Sequence, residues 1–306
     1  MSAVILVTGA DLAPQAVSLL ADCALVYAGM DCNEDKLVAL CRQHDPVAII
    51  ARYGKISARV IAACSRLRVI SKHGAGIDTI DSAAAQARGI AVKAAAGANA
   101  AAVAEHTWAM ILACAKGIVR LDGRMRAGHW DKATHKSMEL KGRTLGLVGL
   151  GAIGLRVAET GIALGMRVIA YDPFAKAFPT GVARGELDDV IATSDVLSLH
   201  CPLTAHNANM INAAALAAMR QGAILVNTAR GGLIDEAALA DALRSGKLRA
   251  AGLDSFQVEP YDGGHAFSSL PDAILTPHVA GVTEDAYVGM GTAAAQNVLD
   301  ELAVTA

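Results

Sequence analysis

Short apolar runs separated by amphipathic stretches pattern the whole chain. Val4–Val7, Leu25–Tyr27, Val47–Ile50, Val69–Ser71 and Ile90–Val92 are nearly free of polar side chains, whereas the stretches Asn33 to Arg42 and Ser57 to Ser65 space their apolar residues at helical intervals. Continuous apolar strands alternating with amphipathic helices predict an open parallel sheet covered on both faces. The alternation starts again at Leu145 and continues through Val168–Tyr171, Val196–Leu199, Ile224–Asn227, Ala250–Leu253 and Ile274–Thr276. The expected fold class is therefore α/β, with two doubly wound parallel-sheet domains in one chain. KAAAGAN around Gly97 breaks the strand pattern ahead of a long helix, Ala100 to Lys116, and Glu284 to Leu302 reads as a closing helix with no strand after it. That helix is expected to pack back on the first domain. Residues 1–97 and 283–306 then make one domain and 98–282 the other, and two chain crossings suit a hinge with a cleft between the domains.

The most informative stretch is TLGLVGLGAIGLRVAETGIALGMRVIAYD, residues 144–172. A buried strand leads directly into Gly149-x-Gly151-x-x-Gly154, a helical pattern follows through Leu164, and a second strand ends on Asp172. Glycines let the backbone turn tightly and approach a pyrophosphate, whose charge meets the free N–H groups of the helix start. Asp172 lies near the roughly 20-residue offset at which a carboxylate reaches the adenosine ribose hydroxyls. Glycines alone say little. Placed between strand and helix, with an acid closing the next strand, they predict a Rossmann domain that binds a dinucleotide.

Composition narrows the partners. The 306 residues are 54% hydrophobic and 18% charged, which is the make-up of an ordered globular chain. A net charge of −2 leaves no basic footprint for nucleic acid or an anionic membrane. Cys23, Cys32, Cys41, Cys64, Cys114 and Cys201 show no paired spacing and read as small buried residues in a reducing compartment. MSAVILVTGA carries no basic segment before its apolar run and reads as a first strand rather than a signal peptide. Ala94 to Ala115 contains Asn99, Glu105 and His106, which suits a buried helix better than a membrane span. A cytoplasmic location is expected.

In parallel sheets ligands bind beyond the carboxyl ends of strands. After Val69–Ser71 comes Lys72-His73-Gly74-Ala75-Gly76-Ile77-Asp78, whose small residues leave amides open to an anion. His200-Cys201-Pro202 follows Leu199, and Asn227-Thr228-Ala229-Arg230-Gly231-Gly232 follows Val226. Glycines beside Arg230 let its guanidinium stand clear and grip a carboxylate with two parallel bonds. Asp254 and Glu259-Pro260 follow Leu253, and Pro277-His278-Val279-Ala280-Gly281 follows Thr276. A histidine at a strand end with a carboxylate near it in the fold is the usual make-up of a proton-transferring pair. The other eight histidines read as ordinary structural or surface residues. None stands four residues from another and no Cys/His quartet exists, so no metal site is expected.

Taken together, KHGAGID, NAAAVAEHTWAMIL, ELKGRTLGLVGLGAIG, AYDP, LHCPLT, NTARGGLIDE, AGLDSFQVEP and TPHVAG cover nearly the whole chain in order. With them the chain resembles the D-isomer-specific 2-hydroxyacid dehydrogenases, and within them the D-3-phosphoglycerate dehydrogenase branch. The resemblance implies a flavodoxin-like substrate domain beside the Rossmann domain, NAD as cofactor, and a homodimer formed through the nucleotide-binding domain. It implies that Arg230 binds the substrate carboxylate and carbonyl oxygen, that His278 exchanges the proton with the hydroxyl, and that Glu259 orients and charge-stabilises that imidazole. Gly149, Gly151, Ala152, Ile153, Gly154, Asp172, His200, Cys201, Pro202, Thr228, Ala229, Arg230, Asp254, His278 and Gly281 would line the cofactor, with Asp254 facing its nicotinamide end. Substrate would meet Arg52, Lys72, His73, Gly74, Ala75, Gly76 and Arg230. Arg52 and Lys72 match phosphate-facing basic residues of that branch, which implies a second anion on the substrate.

The chain departs from the family pattern at Ser255, where an aliphatic residue is usual, and at Ala205-His206-Asn207 in place of a threonine-containing turn. The C-terminal regulatory extension of many phosphoglycerate dehydrogenases is not in the sequence, which puts serine feedback and the assignment to serine synthesis in doubt. The reading is an NAD-dependent oxidoreductase interconverting a 2-hydroxy acid and its 2-keto acid. Its rivals are a glyoxylate or hydroxypyruvate reductase, a formate or phosphite oxidiser, and a non-catalytic NAD-sensing dimer.

Overall fold

The computed structural model describes residues 2–262 and 266–303. In chain order its elements are β1 (Val4–Val7), α1 (Pro14–Leu19), β2 (Ala24–Tyr27), α2 (Glu34–His44), β3 (Ala48–Ala51), α3 (Ala58–Ala62), β4 (Val69–Lys72), α4 (Ser82–Ala87) and β5 (Ala91–Ala94). There follow α5 (Ala100–Lys116), α6 (Ile118–Arg126), β6 (Thr144–Val148), α7 (Ala152–Ala163), β7 (Arg167–Tyr171), β8 (Val182–Arg184), α8 (Leu187–Thr193), β9 (Val196–Leu199), α9 (Ala213–Ala218) and β10 (Ala223–Asn227). A 3₁₀ turn (Gly231–Leu233), α10 (Glu236–Arg244), β11 (Leu248–Leu253), β12 (Ala273–Leu275) and α11 (Glu284–Ala303) complete it. The chain forms two compact units, Met1–Asn99 with Val282–Ala306, and Ala100–Gly281.

The first unit is a five-stranded parallel sheet in the order β2-β1-β3-β4-β5. Alternation along each strand sends Ile5 and Val7 to one face and Leu6 to the other. The first face packs against Ala294, Ala295 and Val298 of the returning α11, and the second against Leu37, Val38, Val60 and Ile61. Three helices begin on side-chain caps that satisfy first-turn amides: Asn33 on Lys36, Ser57 on Val60 and Asp81 on Ala84. Strand order reverses between β1 and β3, and Thr8 seals that junction by accepting from the Arg52 amide at 2.9 Å and donating to the Tyr53 carbonyl at 2.7 Å.

The second unit is a seven-stranded sheet in the order β12-β11-β10-β9-β6-β7-β8, every pair parallel. Leu145, Leu147, Val196, Ile224 and Val226 pack under α5 and α7, with Trp108, Ile111 and Val157 above them. Val148, Leu197, Leu199 and Leu225 face Val190, Ile191, Leu216 and Leu239 on the opposite side. Here the strand order reverses between β6 and β9, the position where open α/β sheets bind ligands.

Two elements lack a legible sequence signal. β8 is a three-residue edge strand whose Ala183 and Arg184 are exposed, too short to show a period. α6 has no buried residue and starts after a break at Gly117, where φ is +66°. It leaves Ile118, Val119 and Met125 about half exposed, at 55%, 56% and 52%, while Trp130 beyond it is 74% exposed. Among the described residues no single helix is long and apolar enough to cross a membrane. α5 and α6 pass that test only as a pair bent by 60°, and ten residues of α5 lie in the core.

Candidate active site

The glycine loop is built by contact at two glycines and by open space at the third. Gly149 has φ +99°, and a β-carbon there would lie 2.7 Å from the His200 carbonyl at the end of β9. One on Gly154 would lie 2.2 Å from the Gly149 carbonyl, so α7 can come no closer with any side chain there. A β-carbon on Gly151 would meet nothing within 4 Å. Gly151 is also the N-cap of α7 and carries no side-chain cap, so the first amides of the helix, including those of Ala152 and Ile153, are left for an incoming anion. Open backbone at a helix start is what a dinucleotide pyrophosphate requires, and the loop fits one.

Asp172 closes this loop from β7. Its Oδ2 accepts from the Leu150 amide at 2.8 Å, and its Oδ1 from the Phe174 and Ala175 amides at 2.8 and 3.1 Å. One lone-pair direction on Oδ2 is left over after these bonds, suited to a hydroxyl donor. Behind the loop, His200 Nε2 is 2.9 Å from Ser198 Oγ, and desolvation pulls the imidazole down to about 4, so the ring is neutral at pH 7. Burial pushes the Cys201 thiol up to about 11, which leaves it protonated and no nucleophile. Pro202 follows, its carbonyl accepting from Asn207 Nδ2 at 2.8 Å.

The loops beyond three neighbouring strands carry Arg230, Glu259 and His278, and the last two pair directly, while Arg230 Nη1 donates to the Ala229 carbonyl at 2.8 Å. Beyond β10, Asn227 ties the loop on both sides of Arg230: it donates to the Arg230 carbonyl at 2.8 Å and accepts from the Ala229 amide at 3.0 Å. Gly231 lets that loop lie directly on the backbone beyond β11, where a β-carbon would sit 1.9 Å from the Phe256 carbonyl carbon. That second loop is pinned in turn by Glu236, which accepts from the Gln257 amide at 2.8 Å. Glu259 accepts from the Phe256 amide at 3.0 Å through Oε1, while its Oε2 is 2.8 Å from His278 Nδ1. Nδ1 being engaged, Nε2 is the nitrogen left to face a ligand. His278 has φ +55°, a left-handed conformation that non-glycine residues adopt at a cost and that clusters at functional sites.

Asp254 lies 1% exposed beneath this loop. It accepts from Thr276 Oγ1 at 2.6 Å and from the Val279 and Ala280 amides at 2.9 Å each. Its carboxylate is therefore occupied with shaping the turn that carries His278, a part that its position after a strand did not reveal.

In the first unit Arg52 and Lys72 follow adjacent strands. The Arg52 guanidinium bonds both the carboxylate and the carbonyl of Asp11 and lies 5.2 and 5.0 Å from the ring centres of Tyr53 and Tyr287. That arginine and the Tyr287 hydroxyl hold the Asp11 carboxyl below its ordinary value. Lys72 Nζ donates to the Arg52 carbonyl at 3.0 Å. Among the described residues nothing accepts from the amides of Gly74, Ala75 or Gly76. Desolvation, helped by the Arg52 charge, takes His73 down to about 4, and its Nε2 is buried without a partner. His73 is thus a neutral ring rather than a cation for an anion to meet. No group of three or more metal-ligating side chains occurs among the described residues.

Residues 108–280 match the family described as D-isomer specific 2-hydroxyacid dehydrogenase, NAD binding domain. The chain belongs to this family. It is 38% identical over 301 residues to a D-3-phosphoglycerate dehydrogenase of Mycobacterium tuberculosis, covering 97% of this chain and 57% of that one. It thus spans little more than half the length of that curated relative. It is 39% identical over 274 residues to a hydroxypyruvate reductase of Thermotoga maritima, covering 89% of this chain and 89% of the relative. Among solved structures, a glyoxylate reductase from Paecilomyes thermophila superposes with a TM-score of 0.89 at 30% identity over 98% of this chain and 95% of that one.

In the second unit, two polar residues of α5 carry no clear mark in the sequence. His106, grouped there with the structural histidines, places Nε2 3.1 Å from Thr276 Oγ1 and 3.7 Å from Asp254 Oδ1. Thr107, fully buried, places Oγ1 2.8 Å from Thr228 Oγ1. The only signal for either was the polar triplet Glu105-His106-Thr107 inside the otherwise apolar run AAAVAEHTWAMIL.

Proposed function

We propose that this protein is an NAD-dependent oxidoreductase interconverting a D-2-hydroxy acid and its 2-keto acid. The observation that carries the reading is the 2.8 Å pair between Glu259 and His278, held at the carboxyl edge of a dinucleotide-type sheet with no partner on Nε2 among the described residues. A protein that only bound a nucleotide would have no use for a buttressed proton donor at that edge.

NAD, when bound, supplies or accepts the hydride at C2. In the direction of reduction, His278 as imidazolium gives its Nε2 proton to the carbonyl oxygen, and Glu259 on Nδ1 stabilises the cation before the transfer. Arg230 holds the carboxylate and polarises the carbonyl oxygen. The α7 amides and Gly151 receive the pyrophosphate, and Asp172 accepts from the adenosine ribose, with His200, Cys201, Pro202, Thr228, Ala229 and Gly281 as further lining. The Gly74–Gly76 amides are proposed to meet an anionic group of the substrate.

The tail of the substrate is read from Arg52. Its guanidinium is already neutralised by Asp11 and laid on two tyrosine rings, so a phosphate would have to displace the carboxylate. This favours a short, uncharged tail, as in hydroxypyruvate or glyoxylate, over 3-phosphoglycerate. Exposed apolar residues on and after α6 favour a homodimer formed through the second unit.

NADH oxidation against a panel of keto acids tests the whole reading. Hydroxypyruvate or glyoxylate should exceed the keto counterpart of 3-phosphoglycerate in kcat/KM, and Asp11→Asn should narrow that gap by about 10-fold or more, the worth of one charge-assisted contact. Faster turnover of the phosphorylated acid by the unmutated protein would restore a doubly anionic substrate. His278→Ala should lower kcat by about 10²- to 10⁴-fold while leaving NADH affinity nearly intact, and retention of more than about a tenth of the rate would move the proton donor elsewhere. NADH should be preferred to NADPH, since a 2′-phosphate would meet the Asp172 carboxylate; equal or higher kcat/KM for NADPH rejects that role. Light scattering at micromolar concentration should give twice the chain mass, and a monomer mass would reject the dimer.

A further inference from the structure

We infer that His106 and Thr107 are positioning residues: from adjacent places on α5 they hold the loops of His278 and Arg230 at a fixed separation. The inference rests on the dehydrogenase reading and assigns part of its site to a helix that contributes none of the proposed catalytic groups.

Each loop starts with a threonine two residues ahead of its functional side chain, Thr228 before Arg230 and Thr276 before His278. β10 and β12 are not neighbours, because β11 runs between them. Their ends are therefore two strand spacings apart, about 9.5 Å. Successive side chains on a helix diverge by about 100°, so one turn of α5 can reach both threonines. His106 bonds Thr276 and Thr107 bonds Thr228.

The proton directions are fixed by what each hydroxyl already does. Thr276 donates to Asp254, so its oxygen can only accept from His106, and the His106 tautomer must carry its proton on Nε2. Thr107 donates to the Val103 carbonyl at 2.7 Å, so Thr228 donates to Thr107. The first chain runs His106 to Thr276 to Asp254, and Asp254 holds the Val279 and Ala280 amides. His278 is thus gripped on both sides, which its left-handed φ requires, and the His278 amide donates to the Thr276 carbonyl at 3.0 Å. α5 is a firm anchor: Thr107 is fully buried, and Trp108 Nε1 donates to the Val157 carbonyl of α7 at 3.2 Å. His106 Nε2 is engaged by Thr276, so this histidine acts through the loop and not on a substrate.

The test compares His106→Leu, His106→Gln, Thr276→Val and the double variant His106→Leu/Thr276→Val in the full chain. His106→Leu should lower kcat by about 10-fold or more with NADH affinity little changed, the size of effect expected from slight misplacement of a reacting group. His106→Gln, which keeps an N–H at similar reach, should recover most of it. The double variant should lose no more than Thr276→Val alone, because both act through one chain. Amide exchange at Val279 and Ala280 should quicken in His106→Leu while exchange in β6 stays unchanged. Thr107→Val should lower kcat in the same way; if it does not fold, Thr107→Ser, which keeps the hydroxyl, should match the unmutated rate and Thr107→Ala should not. Unchanged exchange at Val279 and Ala280, a glutamine variant no better than leucine, or additive losses would overturn the inference. A wild-type protein inactive on every keto acid would instead sink the dehydrogenase reading, and the exchange result would still decide the brace.

Discussion

A carboxylate removed from water must be met by donors, and the site of the second unit is arranged around that requirement at Asp254. Leaving such a charge unmet would cost several kcal/mol. Three donors meet it, the Thr276 hydroxyl and the Val279 and Ala280 amides. Because two of these are main-chain groups, satisfying the charge also dictates the path of the backbone around His278. The unusual φ there follows from the same bonds. Glu259, 19 residues earlier in the chain, then pairs with Nδ1 and leaves Nε2 as the second ring nitrogen.

Close packing of backbone on backbone does comparable work elsewhere. Gly149 brings the glycine loop against His200 beyond β9, Gly154 brings the first turn of α7 against Gly149, and Gly231 lays the Arg230 loop on the Glu259 loop. Each contact trades a side chain for proximity of main-chain dipoles, whereas a β-carbon on Gly151 would meet nothing within 4 Å. Asp172 takes three amides of its own neighbourhood, one of them Leu150 in the glycine loop, and so holds that loop in shape.

The first unit handles charge differently. Its cations are compensated before any ligand arrives: Arg52 by Asp11, with two aromatic faces under the guanidinium, and Lys72 by a carbonyl. The nearby cation also helps to keep His73 neutral. Among the described residues this unit presents open amides at Gly74–Gly76 and, at Arg52, a cation already compensated by Asp11.

Much of this was legible in the sequence for a definite reason. Parallel strands buried on both faces leave apolar runs, the turns after them carry the ligand-facing residues, and glycines mark where main chain must approach main chain. Arg230, Glu259 and His278 stand at successive strand ends, so local pattern and family motifs together picked them out. β8 and α6 were not legible, because an exposed three-residue edge strand and a helix with no buried face leave no period. Nor was the pairing of Arg52, since Asp11 lies 41 residues away in the chain and only the β1–β3 junction brings it near. His106 looked like any histidine on a helix. Its partner is 170 residues distant, and only the order β12-β11-β10 under α5 sets it against Thr276. The sequence by itself determined which strands form and which residues stand at their ends, because those follow from local periodicity. Which polar groups satisfy one another was decided by the tertiary structure alone, because hydrogen-bond partners depend on strand order, and strand order is a property of the whole sheet.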